Sequence, residues 1–197
     1  MSALSPLRLI VGLGNPGREY VATRHNAGFW WLERVVALER ASLVPEARFN
    51  GRVGKAGADL WFLEPQGYMN RSGVAVGALA RYYRIPPEAI LVAHDELDLP
   101  PGDLRLKFGG GHAGHNGLRD IVAHLGSPNF WRLRIGIGHP RENVPDAVVA
   151  DYVLNAPRRE EQSKIEEALD RALAVWPQLK AGDLDRATQN LHTKPKP

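Results

Sequence analysis

The sequence places its potentially reactive side chains in short polar blocks next to apolar runs. His25 lies in the block YVATRHNAG (20–28), directly before an apolar run with helical spacing, and Asp95 follows the apolar run 90–93. A carboxylate that accepts a hydrogen bond from one imidazole nitrogen fixes the tautomer and raises the basicity of the other nitrogen. If the fold brings them together, His25 and Asp95 can form a general base for water. The residue types alone also allow Asp95 to be a turn residue or a helix cap.

Three asparagines, Asn15, Asn70 and Asn116, lie in polar or glycine-containing loops. Each carboxamide offers two hydrogen-bond donors and an acceptor, so it can orient a water, hold a carbonyl group and stabilise a developing oxyanion. Asparagine is also a common turn residue in such loops. The spacing therefore allows a polar substrate site without requiring one.

The segment 12–17, GLGNPG, matches the G-x-G-x-x-G pattern of dinucleotide-binding enzymes. In those enzymes the glycine turn leads directly into a helix whose amides hold the pyrophosphate. Here the next eight residues do not begin an amphipathic helix, and Pro16 removes one amide from the turn. The match therefore favours a tight turn over nucleotide binding.

A metal site is a second alternative, because His112 and His115 could join His94 and Asp95 as ligands. Two histidines three residues apart need a helix face or an ordered loop, and the glycines at 109–111 indicate no rigid scaffold. No G-x-S-x-G motif is present, which disfavours a covalent serine mechanism. We expect neither a metal nor a cofactor.

The composition is typical of a globular protein from the reducing cytoplasm. The absence of cysteine excludes disulfides, thiolate metal sites and a cysteine nucleophile. The net charge of +3 suits an anionic partner such as nucleic acid. The short apolar run near the N-terminus has no basic segment before it and is more typical of a strand than of a signal peptide. No run approaches the ~18–20 apolar residues of a membrane span.

Apolar periodicity predicts strands over 7–13, 49–55, 58–63, 90–93, 104–108 and 133–137, and helices over 26–40, 73–84, 117–125, 160–179 and 184–191. This alternation predicts an α/β protein: a single-domain three-layer α/β/α sandwich with a mixed, mostly parallel sheet. We expect one domain over 1–197 with a flexible tail at about 193–197. Ligands of such sheets bind beyond the carboxyl ends of the strands. The loops after 13, 63 and 93 should therefore form the site.

Six blocks in register carry a resemblance to a known family: GLGNPG (12–17), YVATRHNAG (20–28), YMNRSG (68–73), HDELDLPP (94–101), GGGHAGHNGL (109–118) and NFWRLRIGIGHP (129–140). Together they resemble the bacterial peptidyl-tRNA hydrolases over most of the chain. One departure is Ala113, where that family usually has a glycine. The resemblance implies an esterase that cleaves the bond joining a peptide to the 3′ end of a tRNA.

The resemblance also implies roles for the residues singled out above. His25, Asp95 and Asn15 would form the catalytic centre, and Asn15 would recognise the acylated amino group of the substrate. Asn70 and Asn116 would contact the substrate at its ester end. No cofactor would take part in the reaction.

Five further positions match the family's substrate-binding residues. Tyr20, Tyr68 and Met69 would line the cleft, with core packing as the alternative, while Lys107 and Arg134 would bind the terminal phosphate of the tRNA. The expected partner is thus the acceptor end of peptidyl-tRNA, bound by a monomer that needs no protein partner. A non-catalytic RNA-binding module that uses the same basic strands remains the rival hypothesis.

Overall fold

In the computed structural model, which describes residues 6–142, 144 and 147–193, seven strands form one sheet. They are β1 (Leu9–Gly12), β2 (Val44–Glu46), β3 (Gly51–Ala56), β4 (Leu60–Pro65), β5 (Ile90–Glu96), β6 (Leu104–Phe108) and β7 (Trp131–Gly136). Their order is β2-β3-β4-β1-β5-β7-β6, and the β4–β1, β1–β5 and β5–β7 pairs are parallel. Only β3 and β6 run against the other five strands. The prediction of a mixed, mostly parallel sheet is confirmed.

Seven α-helices cover the two faces of this sheet in the part of the chain that the structure describes. They are α1 (Ala27–Leu38), α2 (Ser72–Tyr82), α3 (Asn116–Leu125), α4 (Val149–Val153), α5 (Arg159–Ala174), α6 (Trp176–Lys180) and α7 (Leu184–His192). Side chains of the central strands alternate between two cores, because successive strand residues point to opposite faces. Ile10 packs in the core that includes residues of α1, α5, α6 and α7, whereas Leu9 and Val11 pack with residues of α2 and α3. The three-layer prediction is confirmed.

The structure differs from the local expectations in three respects. The helix expected over 160–179 is divided into α5 and α6, since Pro177 has no amide hydrogen with which to continue a helical hydrogen-bond ladder. Strand β5 extends through Glu96, so His94 and Asp95 lie inside the strand and not after it. The three-residue β2 and the five-residue α4 had no periodic signal in the sequence. The flexible tail expected at about 193–197 falls mostly on 194–197, outside the described residues.

Two glycines bring β1, α1 and β5 into backbone contact beneath the predicted site. A Cβ atom on Gly12 would lie 2.5 Å from the carbonyl oxygen of Gly28, and one on Gly28 would lie 2.4 Å from that of Ala93. A Cβ atom on Gly14 would likewise lie 2.7 Å from the ring of Phe29. The first glycines of the GLGNPG motif therefore permit close packing of α1, which places the residues just before α1 beside the end of β5.

Candidate active site

His25 and Asp95 meet where the chain enters α1. A 3-10 turn over Arg24–Asn26 leads into this helix, and the Nδ1 atom of His25 lies 2.9 Å from the Oδ2 atom of Asp95. The carboxylate can only accept, so Nδ1 donates its proton and Nε2 keeps its lone pair. The side chain of Asp95 is buried, whereas that of His25 is 12% exposed and lines a cavity. This tautomer is the one that a general base requires.

A second imidazole, that of His115, binds the other oxygen of the same carboxylate. Its Nε2 atom lies 2.9 Å from Oδ1 of Asp95, and its Nδ1 atom accepts a hydrogen bond from the backbone N–H of Leu118 at 3.3 Å. His115 is therefore the N-cap residue of α3, with its proton on Nε2. Sequence reasoning considered His115 only as a possible metal ligand. Its place directly before a helix start was the signal that could have revealed this role.

The charges of this cluster set the protonation states. Burial opposes ionisation of Asp95, but the charges and hydrogen bonds of His25 and His115 outweigh it and hold the pKa of this carboxyl well below its usual range. Burial also disfavours the charged form of His25, yet the neighbouring Asp95 carboxylate raises the pKa of that imidazole above its ordinary value. His25 is thus a stronger base than an isolated histidine.

His94 packs edge-on against the ring of His115, with 5.1 Å between the ring centroids, but it contacts the backbone of Asp95 and not its carboxylate. Its Nδ1 atom lies 2.8 Å from the carbonyl oxygen of Asp95, and burial lowers the pKa of His94 to about 3. Among the described residues, the group whose ligand atoms converge closely enough for a metal ion is His25, Asp95 and His115. That group includes neither His94 nor His112, and both of its imidazoles already hydrogen-bond the carboxylate. The four-ligand arrangement that the sequence left open as an alternative is therefore not what the fold assembles.

Asn15 is held from two sides. The side chain of Asn26 accepts from the backbone N–H of Asn15 at 2.9 Å and donates to its carbonyl oxygen at 3.0 Å. The Oδ1 atom of Asn15 accepts from the backbone N–H of Met69 at 2.7 Å. This contact fixes the orientation of the carboxamide and leaves the Nδ2 donors for a ligand. Asn26, which the sequence analysis did not single out, is the residue that holds this loop.

A cavity of about 360 Å³ lies over the histidine–aspartate cluster. Eight of the ten site residues expected from the sequence line it: Asn15, Tyr20, His25, Tyr68, Met69, Asn70, Asp95 and Asn116. Met69 is also buried in the core between the sheet and α2, so the packing alternative holds for it as well. The rest of the lining includes Glu96 and His115 and an apolar wall formed by α4 and the residue after it: Val149, Ala150, Val153 and Leu154. The cavity thus combines a polar side next to His25 with an apolar side that the sequence did not predict.

The other two expected residues, Lys107 and Arg134, line a neighbouring cavity of about 340 Å³. Arg134 donates from Nε to the Oε1 atom of Glu96 at 2.7 Å, and Glu96 lines both cavities. Arg132, which also belongs to this basic strand, donates instead to backbone carbonyls of the glycine-rich loop. In this basic cavity the cations of Lys107, Arg132 and Arg134 outnumber the carboxylates of Glu96 and Asp98, and Arg132 also supports the glycine-rich loop.

Comparisons with known proteins agree with this arrangement. A family model described as peptidyl-tRNA hydrolase matches residues 9–197. The peptidyl-tRNA hydrolase of Azoarcus sp. (strain BH72) is 59% identical, over 100% of this chain and 89% of that relative, and that of Thiobacillus denitrificans is 58% identical, over 98% and 94%. The crystal structure of peptidyl-tRNA hydrolase from Acinetobacter baumannii has a TM-score of 0.91 and 48% identity, with full coverage of both chains. Because the match extends from β1 through every element of the site, this chain belongs to the peptidyl-tRNA hydrolase family.

Proposed function

We propose that this protein hydrolyses the ester bond between a peptide, or an N-blocked amino acid, and the 3′ ribose of tRNA, with His25 as the general base. The observation that carries the proposal is the His25–Asp95 pair at the base of a cavity that Asn15, Asn70 and Asn116 also line. A neutral imidazole with one nitrogen bound to a buried carboxylate is a suitable base for water. Membership of the peptidyl-tRNA hydrolase family supplies the substrate class.

In the proposed mechanism, Nε2 of His25 takes a proton from a water that attacks the ester carbonyl carbon. Asp95 stabilises the resulting imidazolium, and Asn70 and Asn116 place the substrate and the attacking water. The tetrahedral intermediate then collapses by cleavage of its bond to the ribose 3′ oxygen, which receives the proton from His25. A positioned base contributes about 10²–10⁴-fold, and electrostatic stabilisation of the oxyanion supplies much of the remainder.

The substrate-binding roles follow the chemistry of the two cavities. Tyr20, Tyr68 and Met69 line the cavity above His25 and would contact the acyl end of the substrate. Lys107 and Arg134 line the basic cavity next to it and would hold the terminal phosphate of the tRNA.

We also propose that residues 1–197 act as one domain, as a monomer in the cytoplasm, without a metal or cofactor. The single continuous sheet supports one domain, and the absence of cysteine suits a reducing compartment. In the part of the chain that the structure describes, every helix is too short or too polar to span a bilayer.

The proposed activity is tested by incubating the pure protein with N-acetyl-aminoacyl-tRNA and measuring the free tRNA that is released. Turnover at catalytic enzyme concentration is the expected result. Binding of tRNA without release of the acyl group would instead favour the RNA-binding module.

We expect the acid limb of the kcat/KM profile to report the titration of His25. Because its pKa is raised, His25 becomes protonated and inactive as the pH falls through a value above the ordinary ~6.5. In Asp95→Asn the raising contributions of the carboxylate are lost while burial remains, so the midpoint should move to lower pH. The plateau rate should fall by about 10²–10⁴-fold, because asparagine can stabilise the wrong tautomer.

The measurement is kcat/KM of wild type and of Asp95→Asn between pH 5 and 9, with unfolding of each protein monitored at each pH. A midpoint that stays in place in Asp95→Asn would show that another group controls the limb and would remove Asp95 from the mechanism.

Lys107→Ala and Arg134→Ala should each raise KM for tRNA substrates and weaken its dependence on salt. Each phosphate contact releases counterions on binding, so the loss of one should reduce the slope of log KM against log salt by about 0.7–0.9. A short ester without phosphate should be hydrolysed at an unchanged rate. The exposed Lys164 on α5 gives a matched control, Lys164→Ala, in which a charge is lost away from both cavities. Equal losses on both substrates would show that Lys107 and Arg134 support the fold.

A further inference from the structure

The residue before His25 has an unusual environment for a cation. Arg24 is only 6% exposed, and its guanidinium binds a segment more than a hundred residues away. It donates to the carbonyl oxygens of Tyr152 and Asn155 at 3.0 and 3.3 Å, and to the carboxylate of Glu161 at 3.1 Å. Buried cations are retained where they satisfy several acceptors at once. Two neighbouring side chains of one 3-10 turn thus bind different elements of the fold. His25 binds Asp95 of β5, and Arg24 binds the α4 region.

Helix α4 depends on these contacts. It has five residues, and such a short helix does not persist without tertiary support. The guanidinium of Arg24 binds carbonyls at the C-terminal end of this helix and stacks 3.9 Å from the centre of the Tyr152 ring. The backbone N–H of Arg24 donates to Asn155 as well, and the Tyr152 hydroxyl donates to the carbonyl of Ile137 at 2.7 Å. Arg24 and Tyr152 therefore fix α4 against the rest of the fold.

The same helix and the residue that follows it form the apolar wall of the catalytic cavity, through Val149, Ala150, Val153 and Leu154. We propose that Arg24 is a positioning residue that fixes the distance between His25 and this wall, and that the wall receives apolar side chains of the acyl group. This inference rests on the proposed esterase function. It assigns a specificity role to a residue that lines no part of the cavity itself.

A lysine at position 24 keeps the charge but lacks the planar fork that reaches three acceptors. In Arg24→Lys, the carbonyls of Tyr152 and Asn155 lose the guanidinium, and only the backbone N–H of residue 24 still donates to Asn155. The wall should therefore loosen while the hydrogen bond between His25 and Asp95 persists. The loosened wall should reduce kcat/KM for each substrate in proportion to the apolar contact that its side chain makes with the wall. A glycyl substrate should therefore be affected less than a leucyl substrate.

The test compares N-acetyl-glycyl and N-acetyl-leucyl esters of one tRNA as substrates of wild type, Arg24→Lys and the exposed control Arg159→Lys. In Arg24→Lys we expect the leucyl-to-glycyl ratio of kcat/KM to fall about 10-fold, mainly through KM. The midpoint of the pH profile should not move. Hydrogen exchange of the amides of 149–155 should become faster. The control should match wild type.

Tyr152→Phe provides an independent variant, because it keeps the ring beneath Arg24 and removes the hydroxyl that donates to Ile137. Tyr152→Phe should also lower the leucyl-to-glycyl ratio of kcat/KM. If Arg24→Lys fails to fold, this variant tests whether the fixed position of α4 sets the preference for the acyl group. Equal loss on both substrates, or an unchanged ratio in folded variants, would overturn the role of Arg24. Failure of wild type to hydrolyse either ester would instead overturn the proposed function.

Discussion

Replacement of His25 by alanine should lower kcat for N-acetyl-aminoacyl-tRNA at least about 10²-fold while leaving tRNA binding nearly unchanged. The imidazole is the only group of the proposed mechanism that accepts the proton of the attacking water. Its side chain is 12% exposed at the cavity, outside the two apolar cores, so its removal should leave the fold nearly intact. The predicted phenotype is therefore a folded protein that binds substrate and does not turn it over.

The measurement is single-turnover release of tRNA, together with binding of deacylated tRNA and thermal unfolding of the same preparations. His124→Ala is a matched control, because His124 lies on α3 and hydrogen-bonds the backbone of Asp120. Retention of more than about a tenth of wild-type kcat in His25→Ala would exclude the general-base role, since such a base contributes at least 10²-fold.

The sheet could be predicted from local patterns, whereas those patterns left the role of Asp95 open and the resemblance to the bacterial peptidyl-tRNA hydrolases implied its catalytic role with His25. The apolar runs that became β1 and β5 are buried on both faces, and such runs are typical of central parallel strands. Once these strands are adjacent, the residues at their carboxyl ends must be close to each other. The contact between His25 and Asp95 then needs only the close approach of α1 that Gly28 permits.

The parts that were missed depend on contacts between distant segments. His115 caps α3 and binds Asp95, a combination that needs the end of β5 and the start of α3 side by side. Similarly, α4 has too few residues for a periodic signal and is stabilised by Arg24, far away along the chain. Local propensity indicates neither contact, because tertiary contacts determine whether such short elements form.

Wild-type protein should hydrolyse N-acetyl-aminoacyl-tRNA far faster than aminoacyl-tRNA with a free α-amino group, by as much as ~10⁴–10⁵ in kcat/KM. Asn15 should contribute to this discrimination. Its Oδ1 atom is bound to the backbone N–H of Met69, so the side chain can offer only the donors of Nδ2 to a substrate. An N-acyl group presents a carbonyl oxygen that accepts from these donors. A free amino acid presents an ammonium, which is itself a donor and must lose its hydration without gaining an acceptor.

Asn15→Asp reverses this preference with almost no change of shape. One carboxylate oxygen can still accept from Met69, while the other replaces Nδ2 and puts a negative charge where the donors stood. This oxygen repels the acyl carbonyl and attracts the ammonium, so the selectivity for the N-acetyl substrate should fall by about 10–100-fold, the range expected for one hydrogen bond to a charged group. The exposed Asn190→Asp adds the same charge away from the cavity and should leave selectivity unchanged.

The decisive measurement is kcat/KM for N-acetylated and free forms of the same aminoacyl-tRNA, in wild type and both variants. Conditions of high salt separate the local effect from a general change in tRNA binding, because screening weakens long-range attraction to the phosphates more than a contact inside the cavity. The contrary outcome is a folded, active Asn15→Asp that still has the wild-type ratio of kcat/KM for the N-acetylated and free substrates. In that case Asn15 serves only to shape the loop between β1 and residues Arg24–Asn26. The discrimination would then have to come from other residues that line the cavity, with Asn70 and Asn116 the next carboxamides to replace.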